Sequence, residues 1–160
     1  MKRDAIFSAC GQFRHLLIRV WDESLPVLPW GLCNPSDANA EKDDPTARRV
    51  IGFSERLGYG GAVIWNPYDY IATDPKRLRA AGWPVSPDND RYILQACAMG
   101  TGAVIVGWGA NLRGLERPRR VLELLRTNGY TPMALGFTAD RLPKHPLYLP
   151  YEARPVPLAA

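Results

Sequence analysis

The chain has 160 residues, 46% of them hydrophobic and 22% charged, with a formal charge of +4 and a pI near 9.1. That is enough for one domain with a genuine core, read here as residues 1–160 with the core at about 12–150 and a proline-rich tail. No run reaches the roughly 18 apolar residues of a membrane span, and the charged start MKRDAIFSACGQF lacks the apolar stretch of a signal peptide. A cytoplasmic protein is the expectation.

In chain order, Arg14–Val20 reads as a strand, admitted as an extra antiparallel edge strand, with His15 simply one of its residues. Residues Leu25–Cys33 read as the first core strand, although Pro26 and Pro29 make its start irregular. The polar, acid-rich loop NPSDANAEKDDPT follows, and Asp44 then Pro45 have the chemistry of a helix N-cap and first helical residue. A helix is predicted to Leu57, stopped by Gly58. Ala62–Trp65 is an apolar run suited to a strand buried on both faces, and it breaks at Asn66-Pro67 as the first core strand breaks at Asn34-Pro35. Asp74-Pro75 repeats the cap device and opens a short helix to Ala81. Ser86 or Asp88 caps another, with Tyr92, Ile93, Ala96 and Met99 on its apolar face. Gly102–Trp108 is the third core strand, Arg117–Thr127 a helix stopped at Asn128-Gly129, and Met133–Phe137 the fourth core strand.

Alternation of strands and helices predicts an α/β fold. The expected form is a three-layer α/β/α sandwich around a mainly parallel four-stranded sheet. Its ligands should bind beyond the carboxyl ends of the strands. That edge would collect Asn34, Asn66, the loop acids, Gly107-Trp108-Gly109 and the Lys144-His145-Pro146 turn. An asparagine offers donors and an acceptor without charge, which suits the edge of a nucleobase. Trp65, Tyr68, Tyr70 and Trp108 are candidate stacking surfaces. Leu147 and Leu149 around Tyr148 make an apolar tip of the kind that wedges into a base stack. The basic residues Arg48, Arg49, Lys76, Arg77, Arg79, Arg113 and Arg117–Arg120 read either as solvated helix faces or as a nucleic-acid surface. Cys10, Cys33 and Cys97 have no metal-ligand spacing, and His15 and His145 are far apart, so neither metal nor cofactor is expected. No G-x-S-x-G elbow, phosphate-binding loop or full dinucleotide fingerprint occurs.

The order NPSDANAEKDDPTARR, Gly58-Tyr59-Gly60-Gly61, Asn66, Ala72-Thr73-Asp74-Pro75, Asn89-Asp90, Gly107-Trp108-Gly109 and HPLYL resembles a bacterial and phage domain-of-unknown-function family, number 1643, over about residues 12–150. More distantly the layout resembles the uracil-DNA glycosylase superfamily. That resemblance implies an Asn-Pro motif positioning the attacking water, matched by Asn34-Pro35. It implies an asparagine reading the base after the second core strand, matched by Asn66, and a late His-Pro step, matched by His145-Pro146. Leu147 departs from the serine expected next.

The expected function is therefore DNA binding with hydrolysis of a base–sugar bond. Asn34, Asp37, Asp43 and His145 are the candidate catalytic residues, and Ser36, Asn66, Tyr68 and Trp108 the base-binding ones. Arg48, Arg49 and Lys144 are the candidate contacts to the nucleic-acid backbone. The alternatives are a non-catalytic module for a nucleotide or modified base, and an enzyme of free nucleosides or nucleotides in which Asp37, Asp43 and Asp44 hold ribose hydroxyls.

Overall fold

The computed structural model of the chain describes residues 1–159. One mixed sheet of seven strands carries four α-helices. The strands are β1 (Lys2–Phe7), β2 (Arg14–Val20), β3 (Val27–Gly31), β4 (Gly61–Trp65), β5 (Ala103–Val106), β6 (Thr131–Ala134) and β7 (Val156–Pro157), in the spatial order β1-β2-β4-β3-β5-β6-β7. β4, β3, β5 and β6 run parallel, whereas β1, β2 and β7 pair antiparallel with their neighbours.

The parallel strands β3, β4 and β5 and the helices between them lie close to where the hydrophobic pattern predicts them, whereas β6 falls at Thr131–Ala134, two residues before the expected start at Met133 and ending short of Phe137. Helix α1 (Pro45–Arg56) starts at Asp44, whose side chain accepts from the Ala47 N–H, with Pro45 in its first turn. Helix α2 (Pro75–Ala80) repeats the device with Asp74. Helix α3 (Asn89–Ala98) follows Asp88, which makes no side-chain cap bond, and α4 spans Arg117–Thr127. Met99, expected on the inner face of α3, is instead its exposed C-cap.

The sheet is larger than the four strands expected. β2 is antiparallel as anticipated but is not an edge, because β1 covers it. In β1 Lys2, Asp4 and Phe7 are exposed, so its charged face hides the strand period. Likewise the proline-rich tail returns to add β7 beside β6 instead of only wrapping the surface.

Each face of the sheet carries a core. Leu16, Val63, Trp65, Val104 and Val106 pack with Leu78, Ile93 and Val121 from α2, α3 and α4. Leu28, Trp30, Ala62, Ile64 and Ile105 pack on the other face with Val50 and Phe53 of α1 and with Leu149 of the tail. Pro29 sits inside the central strand β3, which pairs with β4 along its length but with β5 only at Trp30 and Gly31. A proline lacks the N–H a ladder needs, which fits that short pairing.

Three arginines hold the long loop after β3 against this frame. Arg14 Nη1 donates to the Ala38 carbonyl at 3.0 Å. Arg19 and Arg3 both donate to Asp43 at 2.9 Å, and Arg19 also bonds the carbonyls of Asn39 and Lys42. β2 is buried at every position but its last, so its arginines point into protein and must find partners there. On the opposite face His15 Nδ1 lies 2.9 Å from Asp69 Oδ2, and the Ser86 N–H and hydroxyl donate to the same carboxylate. His15 is thus part of a buried polar network stacked under Tyr92, not a bystander in its strand.

Candidate functional site

The loops after β3, β4, β5 and β6 surround one cleft of about 580 Å³ at the carboxyl edge of the parallel strands. One wall is Cys33, Asn34, Ser36 and Asp37, joined by the start of α1 at Asp44 and Thr46. Ala72 and Thr73 come from the connection beyond β4, and Trp108 to Asn111 from the turn after β5. Thr138, Lys144, His145, Leu147 and Tyr148 close the far side.

Asn34 is fixed by its own amide, whose Nδ2 donates to the Ala72 carbonyl at 2.8 Å and to the Pro35 carbonyl at 3.0 Å. Both donors are spent, so its remaining function is that of an acceptor through Oδ1. Asp44 Oδ1 accepts from the Ala47 N–H at 2.8 Å. The carboxylate is therefore anchored at a helix N-terminus, where the macrodipole favours negative charge.

His145 owes its position to glycines and to the tail. Lys144, His145 and Pro146 cross closely over the turn after β5. A Cβ at Gly107 would lie 3.0 Å from the Lys144 carbonyl oxygen, and one at Gly109 3.5 Å from the His145 Cβ. Gly109, at φ +69°, also donates its N–H to the Pro143 carbonyl at 2.8 Å. On the other side Arg49 donates to the carbonyls of Pro146 and Leu149 and stacks on the ring of Tyr151, 3.9 Å from its centroid. The Leu147 N–H donates to His145 Nδ1 at 3.2 Å. Nδ1 is then the acceptor, and the neutral ring carries its proton on Nε2. Burial pushes the His145 pKa down to about 4, against the opposing pull of Asp44, so the ring is neutral at pH 7.

Of the residues singled out from sequence, Asn34, Ser36, Asp37, Trp108, Lys144 and His145 line the cleft. Asn66 does not. It borders a smaller space of about 40 Å³ behind the cleft, shared with Asn34, Ser36, Asp44, Thr46 and His145. Asp43 faces Arg3 and Arg19 instead of the cleft. Burial would raise its pKa, but the hydrogen bonds from Arg19 and Arg3 outweigh that and hold it below the usual carboxylate range. Tyr68 is buried against Trp83 and presents no face to the cleft.

Arg48 is exposed, bonding the Asp43 carbonyl, and Arg49 is spent on the tail. Arg113 pairs with Asp140, and Arg117 bonds Pro67, Asn89 and Asp90. The cysteine in the wall, Cys33, is raised by burial to about 12 and stays a thiol. Among the described residues no group of three or more His, Cys, Asp or Glu side chains could hold a metal ion, and no helix is long and apolar enough to cross a membrane.

Asp44 is expected as a helix cap and, for a free nucleoside, as a holder of ribose hydroxyls, but not as a group acting on DNA. Arg14 escapes the motif reading, because it looks like an ordinary strand arginine. The only signal for Arg14 is its place at the start of a strand with no alternation to carry it to solvent.

A family model described as a protein of unknown function, DUF1643, matches residues 14–147. The chain belongs to the DUF1643 family. The matched segment runs from Arg14 to Leu147 and so contains the cleft-lining residues except Tyr148. No curated protein and no solved structure matches the chain.

Proposed function

We propose that this DUF1643 protein is a glycosylase-like hydrolase that takes a nucleoside unit of DNA into the cleft and cleaves its N-glycosidic bond. The observation that carries the reading is the convergence of Asn34, Asp44, Trp108 and His145 on one cavity. Asn34 Oδ1 accepts a hydrogen bond from the attacking water, and the free oxygen of Asp44 takes the water's other proton. The water oxygen bonds to the sugar C1′ as the bond from C1′ to the base nitrogen breaks. The electron pair departs with the base, and His145 Nε2–H donates to the base oxygen where the negative charge gathers. A neutral donor held in place before reaction is the preorganised electrostatics that often dominates catalysis. Leu147, 41% exposed, and Tyr148, 72% exposed, stand at the rim beside Lys144, where an apolar tip would fill the gap left by an extruded nucleotide. The three-layer α/β/α sandwich belongs to this reading, with helices on both faces of the sheet.

The test is incubation with single- and double-stranded oligonucleotides carrying uracil or other modified bases, scored for abasic sites. Cleavage lost in His145→Ala supports the assignment of His145; unchanged cleavage in that variant removes it. A second reading, hydrolysis of a free nucleoside or nucleotide, is favoured by the engagement of Arg49, Arg113 and Arg117 within the protein, which leaves few cations for a polymer backbone. Affinity for DNA that falls steeply with salt supports the polymer. Cleavage of the monomer without DNA binding supports the second reading.

A further inference from the structure

The small space behind the cleft holds two buried donors with no partner. Arg14, 4% exposed, spends Nη1 on Ala38 but leaves Nε unbonded. Asn66, 1% exposed, accepts from Asn89 through its backbone carbonyl but leaves Nδ2 unbonded. A buried donor left without a partner loses its hydration with nothing in return, and native proteins carry few such groups. Both orphans are donors, so what the pocket lacks is an acceptor.

Size and charge narrow the acceptor. A bound water needs roughly 10–15 Å³, so about 40 Å³ takes some three non-hydrogen atoms, the size of a carboxylate and short of the five of a phosphoryl group. Among the described residues Arg14 has no salt-bridge partner, while Asp43 takes Arg19 and Arg3. Burial pushes the Arg14 pKa down to about 10, with Asp44 opposing, so at pH 7 it remains a cation. The charges facing it are Asp44, whose carboxylate is committed to the start of α1, and Arg19.

We propose that this inner pocket is a carboxylate subsite, in which Arg14 Nε and Asn66 Nδ2 bind the oxygens of a carboxylate carried by a ligand whose body lies in the cleft. The subsite stands on the pocket alone, whatever chemistry the cleft performs.

The test is a nuclear magnetic resonance titration of the whole protein with sodium formate against matched sodium chloride, reading the Arg14 Nε–H and Asn66 amide signals. Uracil-6-carboxylate and uracil are then compared by the same signals. Saturable formate shifts are expected at both residues and not at the exposed Arg113. The ring carboxylate should bind about tenfold more tightly than the bare ring, the worth of one charge-assisted hydrogen bond. Asn66→Asp places an internal carboxylate beside Arg14 and should abolish the formate shifts while keeping a cooperative melt. Formate shifts with no gain from the ring carboxylate support Arg14 and Asn66 as the carboxylate site but overturn a uracil-like ring as the ligand body in the cleft. No saturable shift with either carboxylate in the wild type overturns the proposal, however the variant folds. Equal saturation by inorganic phosphate, or shifts that persist in a folded Asn66→Asp, overturn it as well.

Discussion

Acidification should destabilise the fold through His145. Its ring is held neutral in the folded chain, with a pKa of about 4 against an ordinary 6.5. Between those values the unfolded chain takes up a proton that the folded chain refuses. Stability is therefore complete above about pH 6.5 and falls as the pH drops toward about 4. At about 1.4 kcal/mol per pH unit that interval is worth about 2–3 kcal/mol, after allowing for water at the open edge of the ring. The perturbation is His145→Asn. An asparagine oxygen can still accept from the Leu147 N–H but has nothing to titrate. Urea unfolding of both proteins from about pH 7 to about pH 4 isolates the histidine, because the carboxylates common to both cancel in the difference. The stability gap should shift by about 2–3 kcal/mol in favour of the variant as the pH falls. A gap that stays constant across that range would refute the buried neutral imidazole, and with it the donor assigned to Nε2.

Three further outcomes follow from the packing. Gly31→Ala drives a methyl into the ring of Trp65, whose nearest atom would lie 2.3 Å away, and should cost about 1–3 kcal/mol by thermal or urea unfolding. Arg49→Ala removes the bonds to Pro146 and Leu149 and the stack on Tyr151. Amide exchange should then accelerate across residues 145–153 but not in α4, and ligand affinity should fall with it. Asp69→Asn weakens an acceptor shared by His15 and Ser86 at a site with no exposure, so a loss of about 3 kcal/mol is expected in chemical unfolding, while a loss near zero would mean the network relaxes.

How much of this was legible depends on how local the signal is. The start of α1 was, because Asp44 and Pro45 act on the next few residues and on nothing else. The parallel strands β3, β4 and β5 were, because burial on both faces forces apolar runs, whereas β6, Thr-Pro-Met-Ala with an exposed first residue, starts two residues before the run that predicts it. β1 was not, since an edge strand with a solvated face needs no such run, and β7 is two residues long and begins only after the tail has turned back. The same divide runs through the site. The Asn34 and Trp108 positions follow from strand ends that the sequence marks with Asn-Pro and Gly-Trp-Gly, and His145 is marked by its His-Pro step at the start of the turn Pro146–Tyr148. Asp43 and Asp44 are adjacent and chemically identical; a local bond from the Ala47 N–H sets Asp44, but distant partners turn Asp43 away from the cleft. Arg19 lies 24 residues and Arg3 40 residues from Asp43.

That separation also explains why the cleft can keep its polar groups open. The loop from Asn34 to Asp44 is long and acidic, and on its own it would sample many conformations at considerable entropic cost. Arg14 and Arg19 rise from a strand that is buried on both faces and is itself clamped between β1 and β4. By bonding the carbonyls of Ala38, Asn39 and Lys42 they tie the loop to the sheet without using Asn34, Ser36, Asp37 or Asp44 for that purpose. On the opposite rim Arg49 does the same for the segment carrying His145, again through carbonyls. Both halves of the cleft are thus fixed largely by arginines that reach backbone oxygens, which leaves Asn34 Oδ1 and the second oxygen of Asp44 open to the cavity although the Asn34 amide donors and Asp44 Oδ1 are engaged. Of the arginines that hold the loop, Arg14 is the one with a buried donor, Nε, left without a partner among the described residues, and Arg14 borders the inner pocket.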